Sequence, residues 1–191
     1  MSLEHLKQSL YDAPIIKKGE YYYIIHPITD GVPMIAPELL KEVTDEMKTQ
    51  IKKVGKIDRI VTMEAMGIPL ASVLSLQLGI PFTIIRKREY GLPGEVSVEQ
   101  VTGYSKSKLY INGLKKGDRV VIVDDVLSTG GTLRAILTVL QKLGVDVLGV
   151  YIAIDKGECQ KEICSLFKIQ LFALIRIKIT NGSLTIIDKN L

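Results

Sequence analysis

From residue 37 onward the apolar positions change period at regular intervals. Between 37 and 54 they fall at Leu39, Leu40, Val43, Met47, Ile51 and Val54. That spacing paints one stripe along a helix, and Gly55 ends it. A run rich in apolar residues at 57–63 then reads as a strand. The rhythm continues with a helix over 67–78 closed by Gly79, a short strand over 81–85 and a strand over 119–123. A helix over 129–143 follows, with Leu133, Ile136, Leu137, Leu140 and Leu143 on one face and Gly144 behind it. The remaining elements are a strand at 145–154, a helix at 158–167, a strand at 171–177 and a last short strand at 183–187. Strands that are apolar throughout are buried on both faces. Their alternation with amphipathic helices predicts βαβ units: an α/β fold with a mostly parallel central sheet and helices on both faces.

The segment 89–110 breaks this rhythm. Gly91, Pro93, Gly94 and Gly103 stand among polar residues with no sustained period. A stretch of this length without a strong element is usually functional in a compact domain. It reads as a mobile flap carrying a weak hairpin. Before residue 37, the aromatic, turn-rich segment 21–33 reads as a cover over the site. Within it Tyr21–Tyr23 suggest strand core rather than a stacking platform, and His26 a structural role.

Composition changes this picture little. A chain of 191 residues suits one domain with a real core. With 47% apolar and 24% charged residues it has an ordinary soluble composition. No apolar run approaches the ~20 residues of a membrane span, and MSLEHLKQSL does not read as a secretory signal. A cytoplasmic protein without membrane contact is expected. Cys159 and Cys164, in one predicted helix, face different sides, so no disulfide is expected. No Cys/His cluster suggests zinc. The net charge of +4 hints at an anionic ligand but is too mild to point to nucleic acid.

In an open α/β sheet the ligand binds at the carboxyl ends of the strands. Those ends carry Met63-Glu64, Arg86-Lys87-Arg88, Asp124-Asp125 and Asp155-Lys156. The densest of them is VVIVDDVLSTGGT, Val120 to Thr132. Two carboxylates there can bind hydroxyls or a hydrated magnesium ion. The turn that follows offers backbone N–H groups and the Ser128, Thr129 and Thr132 hydroxyls at a helix N-terminus, which is a phosphate cradle. Its glycines let the backbone approach closely. Hydroxyl acceptors beside a phosphate cradle describe a ribose 5-phosphate.

This stretch resembles the 5-phosphoribosyl 1-pyrophosphate signature of type I phosphoribosyltransferases. HPITDGVP, MEAMGIPLA, RKREYGLPGE and TGYSK extend the resemblance to the archaeal hypoxanthine/guanine phosphoribosyltransferases, which are similar in motif to the adenine and xanthine enzymes. The resemblance implies a type I phosphoribosyltransferase fold in one domain, 1–191, with a small N-terminal hood (1–36) over the base, a core (37–191) and a flexible flap (89–110). It implies transfer of phosphoribosyl from phosphoribosyl pyrophosphate to a purine, with magnesium (Mg2+), in a homodimer.

The same resemblance distributes roles. Asp124 and Asp125 become the catalytic pair, holding the ribose hydroxyls directly or through magnesium-bound water. Ser128, Thr129, Gly130, Gly131 and Thr132 hold the 5-phosphate. Glu64, Ala65, Met66 and Gly67 form the pyrophosphate loop, where family members often hold a non-proline cis peptide. Arg86, Lys87 and Arg88 add pyrophosphate contacts, and Tyr104, Ser105 and Lys106 reach the leaving group from the flap. Lys156 donates to the C6 oxygen of a 6-oxopurine; facing the amino group of adenine it would be a donor against a donor. Related enzymes carry a proton-handling carboxylate where this chain has Ser128 or Gly103, so Lys156, a bound water or another residue must take that part. Three alternatives stand beside this reading: adenine or xanthine as the base, a regulator that senses phosphoribosyl pyrophosphate without turnover, and a phosphoacceptor signalling domain.

Overall fold

A computed structural model describes residues 3–19, 21–102 and 105–187, and within 100–107 only backbone pairing. Helix α1 (Glu4–Asp12) leads into a hairpin of β1 (Ile15–Lys18) and β2 (Tyr21–Ile24), then a single turn α2 (Pro27–Asp30) and the long helix α3 (Pro37–Ile51). The core continues through β3 (Arg59–Met63), α4 (Gly67–Leu78) and β4 (Phe82–Ile85). A second hairpin, β5 (Val96–Thr102) and β6 (Ser105–Ile111), precedes β7 (Arg119–Leu127), α5 (Gly131–Leu143), β8 (Asp146–Asp155), α6 (Gln160–Phe167), β9 (Leu171–Thr180) and β10 (Ser183–Ile187).

The central sheet runs β10-β9-β8-β7-β3-β4. Every neighbouring pair is parallel except β9–β10. Both faces are covered, as the apolar strands predict. Val121, Val123, Tyr151 and Ala153 pack on the side of α1, α3 and α4. Their sequence neighbours Val120, Ile122, Val150 and Ile152 pack on the side of α5 and α6. The two-residue period of a strand sends alternate side chains to opposite faces, so each face has its own core.

This strand order places a switch between β3 and β7. From β3 the chain crosses to β4 on one side; from β7 it crosses to β8 on the other. The two crossing helices cover opposite faces, which opens a crevice at the carboxyl ends of these two strands. Glu64 directly follows one of them and Asp124 lies on the other.

Several expectations need correction. The 119–123 strand runs on to Leu127, because ladder pairing with β8 continues past the aspartates at Asp124↔Ile152, Val126↔Ile154 and Leu127↔Asp155. The carboxylates therefore lie within the last residues of β7 and not after it. Tyr21 and Tyr23 are strand residues but not core: they are 61% and 47% exposed, on the outer face of a two-stranded ribbon. Helix α1 was not anticipated; Leu6 and Leu10 bury it against α3. The Glu42 carboxylate accepts from the His5 and Leu6 N–H groups at its start (3.2 and 2.8 Å), which satisfies donors every helix N-terminus leaves open. The predicted weak hairpin in 89–110 is a paired ladder from Val96↔Ile111 to Thr102↔Ser105. Cys159 caps α6 instead of lying within it, and both cysteines are free.

Candidate functional site

A cavity of about 300 Å³ opens at the switch. It is lined by Glu64, Lys87, Asp124, Asp125 and every residue from Ser128 to Thr132, with Leu109 of the hairpin at one side. Residues from three of the four strand ends that the sequence pattern singles out thus meet in one space; Asp155 and Lys156 of the fourth do not line it.

Asp125 is only 7% exposed, while Asp124 keeps an opening to the cavity although protein crowds bulk water away from it. Burial pushes the Asp124 carboxyl well above the usual carboxylate range, and the Asp125 charge beside it pushes further. Burial raises Asp125 to about 6. Lys156 opposes that rise from beyond ion-pair reach. Among the described residues neither carboxylate forms an ion pair. Two acids without a protein countercharge are costly to ionise. They suit a ligand that brings positive charge or hydroxyl donors.

Gly67, the first residue of α4, comes close to this pair. A Cβ there would lie 2.7 Å from Asp124 Oδ1 and 2.2 Å from Thr62 Oγ1. Only glycine permits that approach of the Glu64–Gly67 loop. The Glu64–Ala65 peptide is cis, as the resemblance implies. The loop itself, Ala65 to Gly67, stays outside the cavity lining.

The three adjacent cations separate. Arg86 Nε donates to Glu64 Oε2 at 2.7 Å, and the Lys87 N–H reaches the same oxygen at 3.2 Å. These bonds hold the Glu64 carboxyl below its usual range, the Lys87 backbone bond most of all. Arg88 lies over the Tyr90 ring, 5.6 Å from its centroid. Lys87 is the member of the run that lines the cavity. Of the flap positions, Tyr104 and the side chains of Ser105 and Lys106 fall outside the described residues.

Lys156 lies at the edge of the site, beyond the cavity lining. Its backbone N–H donates to Leu127 O at 2.7 Å, which ties the β8–α6 turn to the end of β7. Burial lowers its ammonium, and the charges of Asp30 and Asp125 oppose the shift. Asp30 belongs to α2 of the hood, and Gly31 beside it approaches Met66: a Cβ there would lie 3.4 Å from Met66 Cε. The hood therefore meets the loop after β3 through Gly31 and Met66, and its Asp30 charge acts on Lys156. Sequence reasoning did not single out Asp30. Its one local signal was the capping role: Asp30 Oδ2 accepts from the His26 N–H at 2.9 Å. His26 is structural, as expected. It is fully buried, Nδ1 accepts from the Ile28 N–H (3.2 Å) and Nε2 meets Ser9 Oγ (2.9 Å).

Asp155 and Arg176 were also missed as a pair. Arg176 Nε and Nη2 both donate to Asp155 Oδ2 (2.9 and 2.8 Å), and Asp155 Oδ1 accepts from the Gly157 N–H at 3.0 Å. The fully buried carboxylate thereby fixes the turn that carries Lys156.

Fold and cavity define an α/β protein with a glycine-rich strand-to-helix turn beside a carboxylate pair at a switch point. The phosphoribosyl transferase domain model matches residues 34–178. The chain belongs to that family. It is 49% identical over 185 residues to the hypoxanthine/guanine phosphoribosyltransferase of Methanobacterium lacus, covering 96% of this chain and 95% of that protein. It is 58% identical over 156 residues to the protein of the same name from Methanosarcina mazei, 82% of each chain. Among solved structures, the adenine phosphoribosyltransferase of Saccharomyces cerevisiae, complexed with an imino-altritol bisphosphate and adenine, matches with a TM-score of 0.73 at 25% identity, over 90% of this chain and 97% of that one.

Proposed function

We propose that the chain is a purine salvage enzyme that transfers the 5-phosphoribosyl group of phosphoribosyl pyrophosphate to hypoxanthine or guanine, giving IMP or GMP and pyrophosphate. The observation that carries this reading is the single cavity that joins the Asp124–Asp125 pair to the Ser128–Thr132 cradle. The names of the relatives at 49% and 58% identity support the same reaction.

In that reaction the bond from C1 of the ribose to pyrophosphate breaks and the leaving group takes the electron pair. A ring nitrogen of the purine supplies the pair for the new bond and passes its proton to a water at the site. Asp124 and Asp125 hold the ribose hydroxyls and favour the positive charge that develops on the sugar. The 128–132 loop anchors the 5-phosphate, so the sugar is fixed at two points. Lys87 and the 64–67 loop meet the departing pyrophosphate. The 89–110 hairpin closes over the centre and keeps water from the activated sugar. Lys156 donates to the C6 oxygen of the base.

The carboxylate pair fits magnesium. Its donors are hard oxygens, and among the described residues no group of three or more His, Cys, Asp or Glu forms a protein-only metal site. Magnesium is commonly held by one or two carboxylates together with substrate phosphate oxygens and water. Bound there, it would neutralise charge on the leaving pyrophosphate. A homodimer in the cytoplasm completes the proposal; no helix among the described residues is long and apolar enough to cross a membrane.

Adenine is the second reading, favoured by the match to the yeast adenine enzyme and opposed by the Lys156 donor. A spectrophotometric assay with phosphoribosyl pyrophosphate, magnesium and each of hypoxanthine, guanine, xanthine and adenine separates them. Turnover of hypoxanthine and guanine is expected. Turnover of adenine alone removes Lys156 as the base reader; turnover of no purine leaves a ligand-sensing protein.

A further inference from the structure

The 128–132 loop is gripped from behind by side chains that take no part in the cavity wall. Cys159 Sγ donates to Ser128 O at 3.2 Å, and Arg134 Nη1 donates to Thr129 O at 2.8 Å. Arg134 is itself held by Glu162 of α6, which accepts from its Nε at 3.2 Å and its Nη2 at 2.8 Å. The turn before α6 touches the same backbone: a Cβ on Gly157 would lie 2.0 Å from Ser128 O. Neither Arg134, Gly157 nor Cys159 lines the cavity.

Both peptide bonds concerned are trans. In a trans peptide the carbonyl and the following N–H point to opposite sides of the chain. With Ser128 O turned toward Cys159, the Thr129 N–H turns away from it. With Thr129 O turned toward Arg134, the Gly130 N–H turns away in the same sense. Ser128, Thr129 and Gly130 line the cavity while Cys159 and Arg134 do not, an arrangement that favours both N–H groups facing the cavity. A carbonyl flipped into that space would repel a phosphate; an N–H attracts it.

We propose that Arg134 is a positioning residue for the 5-phosphate: supported by Glu162 and joined by Cys159, it locks the Ser128–Gly130 peptides with their N–H groups toward the phosphate, without touching the substrate. The proposal rests on the phosphoribosyltransferase reading. Its cationic head works through geometry, because it is spent on a carbonyl and a carboxylate.

The test is calorimetric titration of ribose 5-phosphate, which carries the phosphate and sugar but no base, alongside steady-state kinetics. Arg134→Met is expected to weaken ribose 5-phosphate binding by about tenfold or more, the scale of a lost charge-assisted hydrogen bond. KM for phosphoribosyl pyrophosphate should rise by a similar factor, more than kcat falls, with KM for the purine unchanged. Arg134→Lys keeps the charge but cannot span both partners, so it should bind as poorly as Arg134→Met. Glu162→Gln should show a smaller change in the same direction. Wild-type binding by Arg134→Lys would overturn the proposal in favour of simple charge attraction. Unchanged binding by Arg134→Met, or an equal rise in both KM values with a fall in Tm, would overturn it too while leaving the function intact. A wild-type protein that neither binds ribose 5-phosphate nor turns over any purine would instead remove the function reading, and this proposal with it.

Discussion

Buried titratable groups in two regions flank Lys156, and they are buried in opposite ways. In the hood, His26 has its partners within the protein: a helix N–H on one ring nitrogen and a serine hydroxyl on the other. Burial and the Lys156 charge lower its pKa to about 4, so it sits neutral and satisfied. On β7, Asp124 and Asp125 have each other and no protein cation at contact distance, and burial raises both. The first arrangement is complete without a ligand. The second improves when something else arrives. Burial alone does not mark a functional group; burial without a partner does.

The strongest way to break this comparison is Asp125→Asn. Activity should fall by about 10² to 10³-fold if the carboxylate stabilises the reacting sugar. The ligand-free protein should nevertheless gain stability above pH 6. The sign follows from linkage: a carboxyl raised from 3.8 to about 6 binds more protons folded than unfolded in that interval. Its contribution is complete below pH 3.8 and is lost as pH rises through 6. A Tm that drops at pH 8 in Asp125→Asn would end the distinction.

His26 should show the opposite slope. Its folded pKa of about 4 lies below the ordinary 6.5, so the unfolded chain binds more protons between those values. The stability it contributes is present above pH 6.5 and is lost as pH falls through 4, by roughly 3 kcal/mol. His26→Asn, which retains an N-cap acceptor, should flatten that acid limb in denaturant titrations across pH 4–7. An unchanged limb would mean that other groups carry it.

Lys156 joins the two regions, and Lys156→Met sharpens the comparison at the level of substrate. Loss of a charged donor to the C6 oxygen should reduce kcat/KM for hypoxanthine and guanine by about 10- to 100-fold. The ratio against adenine should move toward adenine. Equal losses on all purines would assign Lys156 to the architecture of the site. The smallest effect is expected on the outer face of the hood, where Tyr21→Ser should change stability by about 0.5 kcal/mol or less, read as a denaturant midpoint, because the side chain is 61% exposed.

How much was legible in the sequence follows from distance along the chain. The α/β order, the all-apolar strands and the helix stops at Gly79 and Gly144 are local signals that stand in the structure; α3 ends earlier than its stripe suggests, at Ile51, and Gly55 closes the 3-10 turn Lys52–Val54 that follows it. The Asp124–Thr132 segment is contiguous, so one stretch of sequence displays most of the site. Helix α1 has only Leu6 and Leu10 as a buried stripe, too few apolar positions to announce itself. The tyrosines at 21 and 23 have strand character, but propensity does not say which face of a ribbon meets the core.

By itself, then, the sequence determined the periodicities, the buried parallel sheet they require and the chemistry of one loop. The tertiary structure alone decided which cation of Arg86–Arg88 meets the cavity and which is consumed by Glu64 or laid on Tyr90. It alone brought Asp30 to Lys156, Arg176 to Asp155 and Arg134 to the back of the 128–132 loop. The physical reason is that period and turn chemistry act over a few residues, whereas charge pairing and peptide orientation depend on neighbours supplied by other strands and helices.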